Sequence, residues 1–158
     1  MASKGNTSLN KGIPIILDAF VIIVKTEWNS EIVDQLEKGC KKLLKNAGIK
    51  SKTIVVPGAF EIPWAIKNLA ENSKIPVDAF IALATIIRGD TPHFDFVSKG
   101  ITDGIMQLNL QLNMPTIFGV LTVDNLQQAQ ERIGGIHGHK GEEAATTAIK
   151  MINLKRTL

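Results

Sequence analysis

The sequence predicts a three-layer α/β fold in which a parallel sheet is covered on both faces by helices. Continuous apolar runs of strand length recur along the chain, and each is followed by a segment with apolar residues at helical spacing. The connections between successive runs are too long for hairpins. Strands of a parallel sheet are buried on both faces, so they read as unbroken apolar runs rather than as alternating ones. Helical connections between such strands cross over with a right-handed sense and cover the sheet.

Residues 1–12, MASKGNTSLNKG, are small and polar without an apolar period, and are expected to form a flexible N-terminal arm. Residues 13–158 are expected to form a single domain, since a chain of 158 residues buries a sizeable core without disulfides or a structural metal. Residues 19–24 (AFVIIV) read as the first strand, ended by the polar Lys25 and Thr26. A helix follows with Ser30 as N-cap, apolar positions Ile32, Val33, Leu36, Cys40, Leu43 and Leu44, and a stop at Gly48. Glu31 and Asp34 lie near its start and Lys41, Lys42 and Lys45 near its end, as the helix macrodipole favours.

The unit then repeats, with a short strand at 53–56, a helix at 62–70 and a long apolar strand at 78–87 (DAFIALATII). Val97, Ile101, Ile105, Leu108 and Leu112 mark the buried face of the next helix. On that helix Gly100 and Gly104 lie one turn apart, where they would let another backbone approach closely. Pro115 opens a strand at 116–121, and two helical segments at 126–132 and 142–152 finish the chain, separated by the glycine-rich GGIHGHKG.

Composition narrows the function classes. With 44% hydrophobic and 21% charged residues the chain is neither disordered nor a membrane protein in character. The net charge of +3 is spread along helices among carboxylates, with no basic run interleaved with aromatics, which argues against nucleic acid as a partner. Cys40 is the only cysteine, which excludes an intrachain disulfide and a cysteine-based metal site and fits a reducing compartment. The apolar run at 13–24 is interrupted by Asp18, lacks a small-residue cleavage pattern and is too short to span a bilayer.

Ligands of an open parallel sheet bind at the carboxyl ends of its strands, so the loops after the apolar runs are the places to search. They carry Glu27, Trp28 and Asn29, then PGAFE (57–61), RGDTPHFDF (88–96), and residues 122–125. Trp28 and Phe60 stand at loop-to-helix junctions, either as stacking surfaces for a flat ligand or as hydrophobic staples. In the third loop Arg88, Gly89, Asp90, Thr91 and His93 place a cation, a flexible turn, a hydroxyl and an imidazole together at a helix start. Backbone N–H groups there attract phosphate, and an imidazole is able to carry protons near neutral pH. The plainer alternative makes Asp90 or Thr91 an N-cap and Pro92 the first helical residue, which leaves the crowding of Arg88, Gly89 and His93 unexplained. Arg132, His137, His139 and Lys140 form a second polar cluster, either a phosphate-holding turn or a solvated linker. No carboxylate or cysteine spacing accompanies these histidines, so no metal is expected. Phosphate-loop, dinucleotide-binding and nucleophile-elbow signatures are absent from the sequence.

Taken in order, these segments resemble the lumazine synthase family: Trp28-Asn29 before a helix, VPGAFEIP (56–63), IIRGDTPHFDFV (86–97), FGVLT (118–122), QAQER (128–132) and HKGEEAA (139–145). The likeness runs from about residue 14 to residue 153. It implies a flavodoxin-like fold with a four-stranded parallel sheet, and a homopentamer with active sites between neighbouring subunits, a sixty-subunit shell being left open. It also implies a cofactor-independent cytoplasmic transferase with two small-molecule substrates. That enzyme would condense 5-amino-6-(D-ribitylamino)uracil with 3,4-dihydroxy-2-butanone 4-phosphate in riboflavin biosynthesis.

The resemblance further assigns roles. One subunit would supply Trp28 stacked on the pyrimidine with Asn29 nearby; Ala59, Phe60 and Glu61 at the ribityl chain and ring edge; and Thr85, Ile86 and Ile87 lining the ring pocket. Asp90 and Thr91 would hold the phosphate and His93 would transfer protons, while the neighbouring subunit would contribute Phe118 across the ring, with Arg132 and Lys140 at the phosphate. Trp28 stands where many members have Phe, and His139 where Asn is often found. The alternatives are an archaeal-type riboflavin synthase of the same fold, and a non-catalytic lumazine or flavin carrier or shell protein.

Overall fold

Phe20–Thr26 (FVIIVKT) forms β1, dense in the β-branched residues that suit a pleated, buried surface. The computed structural model of the chain describes Leu9 and residues 12–158; apart from Leu9 and Gly12, the expected N-terminal arm lies outside the described residues. β1 runs beyond its expected end because Lys25 and Thr26 stay paired with Val55 and Val56 of β2 (Lys50–Val56). β2 in turn starts before its expected residue 53. It is an edge strand with one side open, so its first residues, KSKT, carry no apolar signal.

Asn29, not Ser30, caps α1 (Ser30–Asn46), with a left-handed backbone at φ 56°. Asparagine tolerates that conformation better than most residues. Its side chain does not close the helix end, for it is drawn across to β3 instead. At the other end Ala47 and Gly48 donate back to Leu43, Leu44 and Lys45, and Gly48, at φ 72°, turns the chain as expected.

A single tight turn, Ala59–Glu61, leads into α2 (Ile62–Asn72), followed by β3 (Ala79–Ile87), α3 (His93–Gln111) and β4 (Thr116–Val123). α4 (Leu126–Gln130) is shorter than the expected 126–132 and is capped by Asn125, whose side chain accepts the Gln128 N–H. The glycine-rich stretch is not an open linker: Ile133–Gly135 (β5) and Gly138–His139 (β6) pair antiparallel. α5 (Lys140–Thr157) then begins before the expected residue 142, because the His139 imidazole accepts the Glu142 N–H at 3.4 Å.

Among the described residues the main sheet has four parallel strands in the order β2-β1-β3-β4. Side chains along each inner strand alternate between its faces. Val21, Ile23, Ile81 and Leu83 pack with α1 and α5, whereas Ile22, Val24, Phe80, Ala82 and Ala84 pack with α2 and α3. The expected three-layer α/β fold is therefore observed. α1 and α5 approach at two glycines: a Cβ at Gly141 would collide with the Leu36 carbonyl, and one at Gly39 would collide with the His139 ring. Gly100 and Gly104 do not receive another backbone. They make room for the Phe60 ring and for Pro63 of the same chain.

One polar group penetrates the α1 side of the sheet. The Glu37 carboxylate accepts hydrogen bonds from Lys25 on β1 and Thr53 on β2 and pairs with Lys41, one turn along α1. Lys25 also reaches Asp34 at 2.8 Å. Burial alone would raise the Glu37 carboxyl, but the bonds from Lys25, Lys41 and Thr53 outweigh it and hold the group down at about 2, against an ordinary value of 4.5. A carboxyl depressed in the folded state stabilises fully above its ordinary value, and loses that contribution as pH falls toward the folded one. Glu37→Gln should therefore lower stability at pH 7, by less than the roughly 3 kcal/mol that such a shift is worth before solvent screening. In thermal melts at fixed ionic strength its deficit against the parent chain should close between pH 4.5 and 2. A deficit constant across that window would show that the charge is not what stabilises.

Candidate active site

β1 and β3 lie side by side only as far as Lys25 and Leu83. Beyond that point β1 follows β2 to Val56, and β3 follows β4 to Val123. The two central strands part because their outgoing helices, α1 and α3, pack on opposite faces of the sheet. Such a parting at the carboxyl ends of parallel strands is where this class of sheet binds ligands. A cleft of about 680 Å³ opens there.

Backbone bonds set its walls. Glu27 N–H donates to the Val56 carbonyl at 2.9 Å and Trp28 N–H to that of Pro57 at 3.3 Å, so the first two loops leave the sheet as one unit. Across the parting, the Asn29 side-chain amide donates to the Thr85 carbonyl at 2.7 Å and replaces the lost strand pairing. β3 is buried from Ala79 to Thr85, and Ile86 and Ile87 then emerge into the cleft. The Thr85 hydroxyl is buried and has no partner among the described residues.

Trp28, Asn29, Ala59, Phe60, Glu61, Thr85, Ile86, Ile87, Thr91 and His93 all line this cleft. Neither aromatic is buried at its helix end: Trp28 is 73% exposed and Phe60 62%. Gly58 lies between the Trp28 indole and the Glu61 carboxylate, close enough to both that a Cβ would touch them. At the start of α3, Pro92 precedes the first helical residue, and the Thr91 hydroxyl accepts the His93 N–H at 3.4 Å. Asp90 is exposed in the same loop but does not line the cleft.

Phe118, Arg132 and Lys140 are elsewhere. Phe118 and Lys140 line a separate groove of about 680 Å³ along β4 and α5, where Lys140 pairs with Glu143. Arg132 donates to the Gln128 carbonyl at 2.8 Å, and the Lys140 N–H donates to the Arg132 carbonyl at 2.9 Å, so the two residues meet through their backbones at the base of the β5–β6 hairpin. Sequence reasoning did not assign Thr26, Gly58, Phe94, Phe96 and Val97, which also line the main cleft. The two phenylalanines belong to HFDF, in the loop-to-helix segment 88–96 that carries Arg88 and His93. Nor did it assign the partners of Arg88, which pairs with Asp95 and Asp124 and lies over the Phe94 ring. Among the described residues no group of three His, Cys, Asp or Glu side chains is arranged to hold a metal, and no helix is long and apolar enough to cross a membrane.

Comparison with known proteins places the chain in a family. Residues 18–156 match the family model described as 6,7-dimethyl-8-ribityllumazine synthase. Relatives bearing that name include a protein of Parabacteroides distasonis, 46% identical over 89% of each chain. Another, from Porphyromonas gingivalis, is 46% identical over 92% of this chain and 91% of that one. A third, from Cytophaga hutchinsonii, is 44% identical over 96% of each. With the family model spanning nearly the whole sheet and its loops, and with full-length relatives well above the level at which families are shared, the chain belongs to the 6,7-dimethyl-8-ribityllumazine synthase family.

Proposed function

We infer that the chain condenses 5-amino-6-(D-ribitylamino)uracil with 3,4-dihydroxy-2-butanone 4-phosphate to give 6,7-dimethyl-8-ribityllumazine, phosphate and water, the penultimate step of riboflavin biosynthesis. The observation that carries this is the match over residues 18–156, which takes in every loop of the cleft at the β1–β3 parting. The amine attacks the ketone, an imine forms with loss of water, phosphate is eliminated to leave an enol that tautomerises to a ketone, and the ribitylamino nitrogen attacks that carbonyl to close the ring with loss of a second water. Protons must move at each stage while a dianionic leaving group is held, which calls for an imidazole and fixed anion-binding groups. No cofactor is required by that sequence of steps. Holding two substrates together supplies much of the acceleration in such reactions.

In this reading Trp28 stacks on the pyrimidine, with Asn29 beside it. Ala59, Phe60 and Glu61 meet the ribityl chain and ring edge, and Thr85, Ile86 and Ile87 meet the ring. His93 transfers protons, and Asp90 and Thr91 hold the phosphate at the start of α3. The three remaining residues, Phe118, Arg132 and Lys140, are supplied by a neighbouring copy. Support for this comes from their separation in one chain, where they lie at the β4–α5 groove and the β5–β6 hairpin rather than at the cleft. A contact between two different surfaces of identical chains closes into a ring when the rotation permits, and we assign the ring as a homopentamer in the cytoplasm. Residues 13–158 act as the single domain.

Mixing purified chain with both substrates and following lumazine absorbance and phosphate release tests the reaction directly. Enzyme-dependent formation of both products is expected, and binding without turnover would favour a carrier instead. Trp28→Ala should weaken pyrimidine binding by roughly 1–3 kcal/mol, the scale of base–aromatic stacking, and unchanged affinity would reduce Trp28 to packing. Arg132→Ala should raise KM for the ketose phosphate far more than for the pyrimidine, since a charge-assisted phosphate contact is lost. Equal effects on both substrates would refute that assignment. Because the site spans two copies, coassembling His93→Ala with Arg132→Ala chains should restore part of the activity that each lacks, and no recovery would place the whole site in one chain.

A further inference from the structure

Arg88 directly follows β3, and a cation beside the N-terminus of α3 is the natural first choice for a phosphate contact. Its side chain is already engaged. Nε donates to Asp124 Oδ1 at 3.1 Å, Nη1 donates to Asp95 Oδ2 at 3.4 Å, and Nη2 lies 3.2 Å from Asp95 Oδ1. The guanidinium carbon sits 4.0 Å from the centre of the Phe94 ring. One cation facing two carboxylates leaves the group net negative, which repels a phosphate rather than recruiting it. Arg88 is also absent from the lining of the cleft, whereas Gly89, Thr91 and His93 are part of it.

Each partner belongs to a different anchor. The Arg88 N–H donates to the Val123 carbonyl at 2.9 Å, holding the start of the loop to the end of β4. Asp95 belongs to the first turn of α3, and Asp124 to the connection between β4 and α4. Asp124 is itself fixed, since its N–H donates to the Gln128 side chain at 2.9 Å. Between these anchors runs Gly89–His93, whose glycine faces open space where a Cβ would stand. A planar, forked guanidinium is suited to such bridging because its hydrogen-bond directions are set in advance.

We propose that Arg88 is a positioning residue that clamps the Gly89–His93 loop, holding the Thr91 hydroxyl and the His93 imidazole at the cleft without touching substrate. The proposal deepens the functional reading above and rests on it for the roles of Thr91 and His93. Exposed ion pairs contribute little to global stability, and Arg88, Asp95 and Asp124 are all substantially exposed. Misplacing a reacting group by an ångström, by contrast, costs large rate factors. The clamp therefore acts on rate and leaves the unfolding temperature alone.

Arg88→Gln, Asp124→Asn and their combination in the full chain test this, with kinetics for each substrate, thermal melts, and deuterium uptake across residues 86–97. Each single variant should lower kcat about 10-fold, leave KM for the pyrimidine within about twofold and leave the melting temperature unchanged. The double variant should be no slower than the slower single one, and uptake across the loop should rise in all three. If Arg88 instead bound phosphate, Arg88→Gln would raise KM for the ketose phosphate and weaken inhibition by inorganic phosphate, while Asp124→Asn, which frees the guanidinium, would not. That pattern overturns the proposal, as do unchanged kinetics with unchanged uptake. Should the parent chain fail to condense its substrates, the functional reading falls, and loop uptake still decides whether Arg88 holds the segment.

Discussion

The divergence of β1 from β3 is the constraint on which the rest of the structure depends. Parallel strands need crossover connections, and the connections from these two neighbours pack on opposite faces of the sheet. No ladder can continue between them past Lys25 and Leu83. The cleft is the result, walled by the ends of β1 and β3, the loops that leave the strands and the start of α3. Asn29 keeps the gap from spreading: its left-handed backbone turns the chain into α1 while its side chain restores one bond across the parting. A single residue thus starts a helix and bridges the parting.

Around that opening the molecule divides its polar groups by task. Lys25, Glu37, Lys41 and Thr53 satisfy one another beneath α1 and are unavailable to a ligand. The Arg88, Asp95 and Asp124 group lies outside the cleft and ties loops together. What remains at the cleft is sparse in polar side chains: Asn29, Glu61, Thr91 and His93 among exposed aromatic rings. The strongly basic residues expected at a phosphate, Arg132 and Lys140, flank the β5–β6 hairpin and do not line the cleft. On the function proposed above, one chain carries two half-sites that a second copy would complete.

Much of this was legible in the sequence where burial is two-sided. β3, with residues 79–85 fully buried, is an unbroken apolar run, and the face of α1 is marked by Ile32, Val33, Leu36, Cys40 and Leu44. The first half of β2 was not legible, because an edge strand with one open side accepts lysine and serine as readily as valine. Nor was the β5–β6 hairpin, whose strands of three residues and two are too short to show a period. The loops of the cleft stood out because polar and aromatic residues interrupt apolar runs. The pairing of Arg88 with Asp124 crosses 36 residues and two elements, and nothing local in the sequence announces it. The Gly100 and Gly104 pair was seen as a place of close approach, but spacing alone could not say that Phe60 and Pro63 fill it.

The contact between His139 and Gly39 ties together two positions that are remote in sequence. The imidazole occupies space that any side chain at position 39 would claim, and from there it caps the helix that starts with Lys140. A substitution at position 39 would therefore be felt at the start of α5 before it was felt in the core of α1. The two positions are epistatic: a smaller residue at 139 would have to be acquired first before drift at 39 became tolerable, so the order of mutations, and not only their identity, limits which descendants of this sequence are reachable.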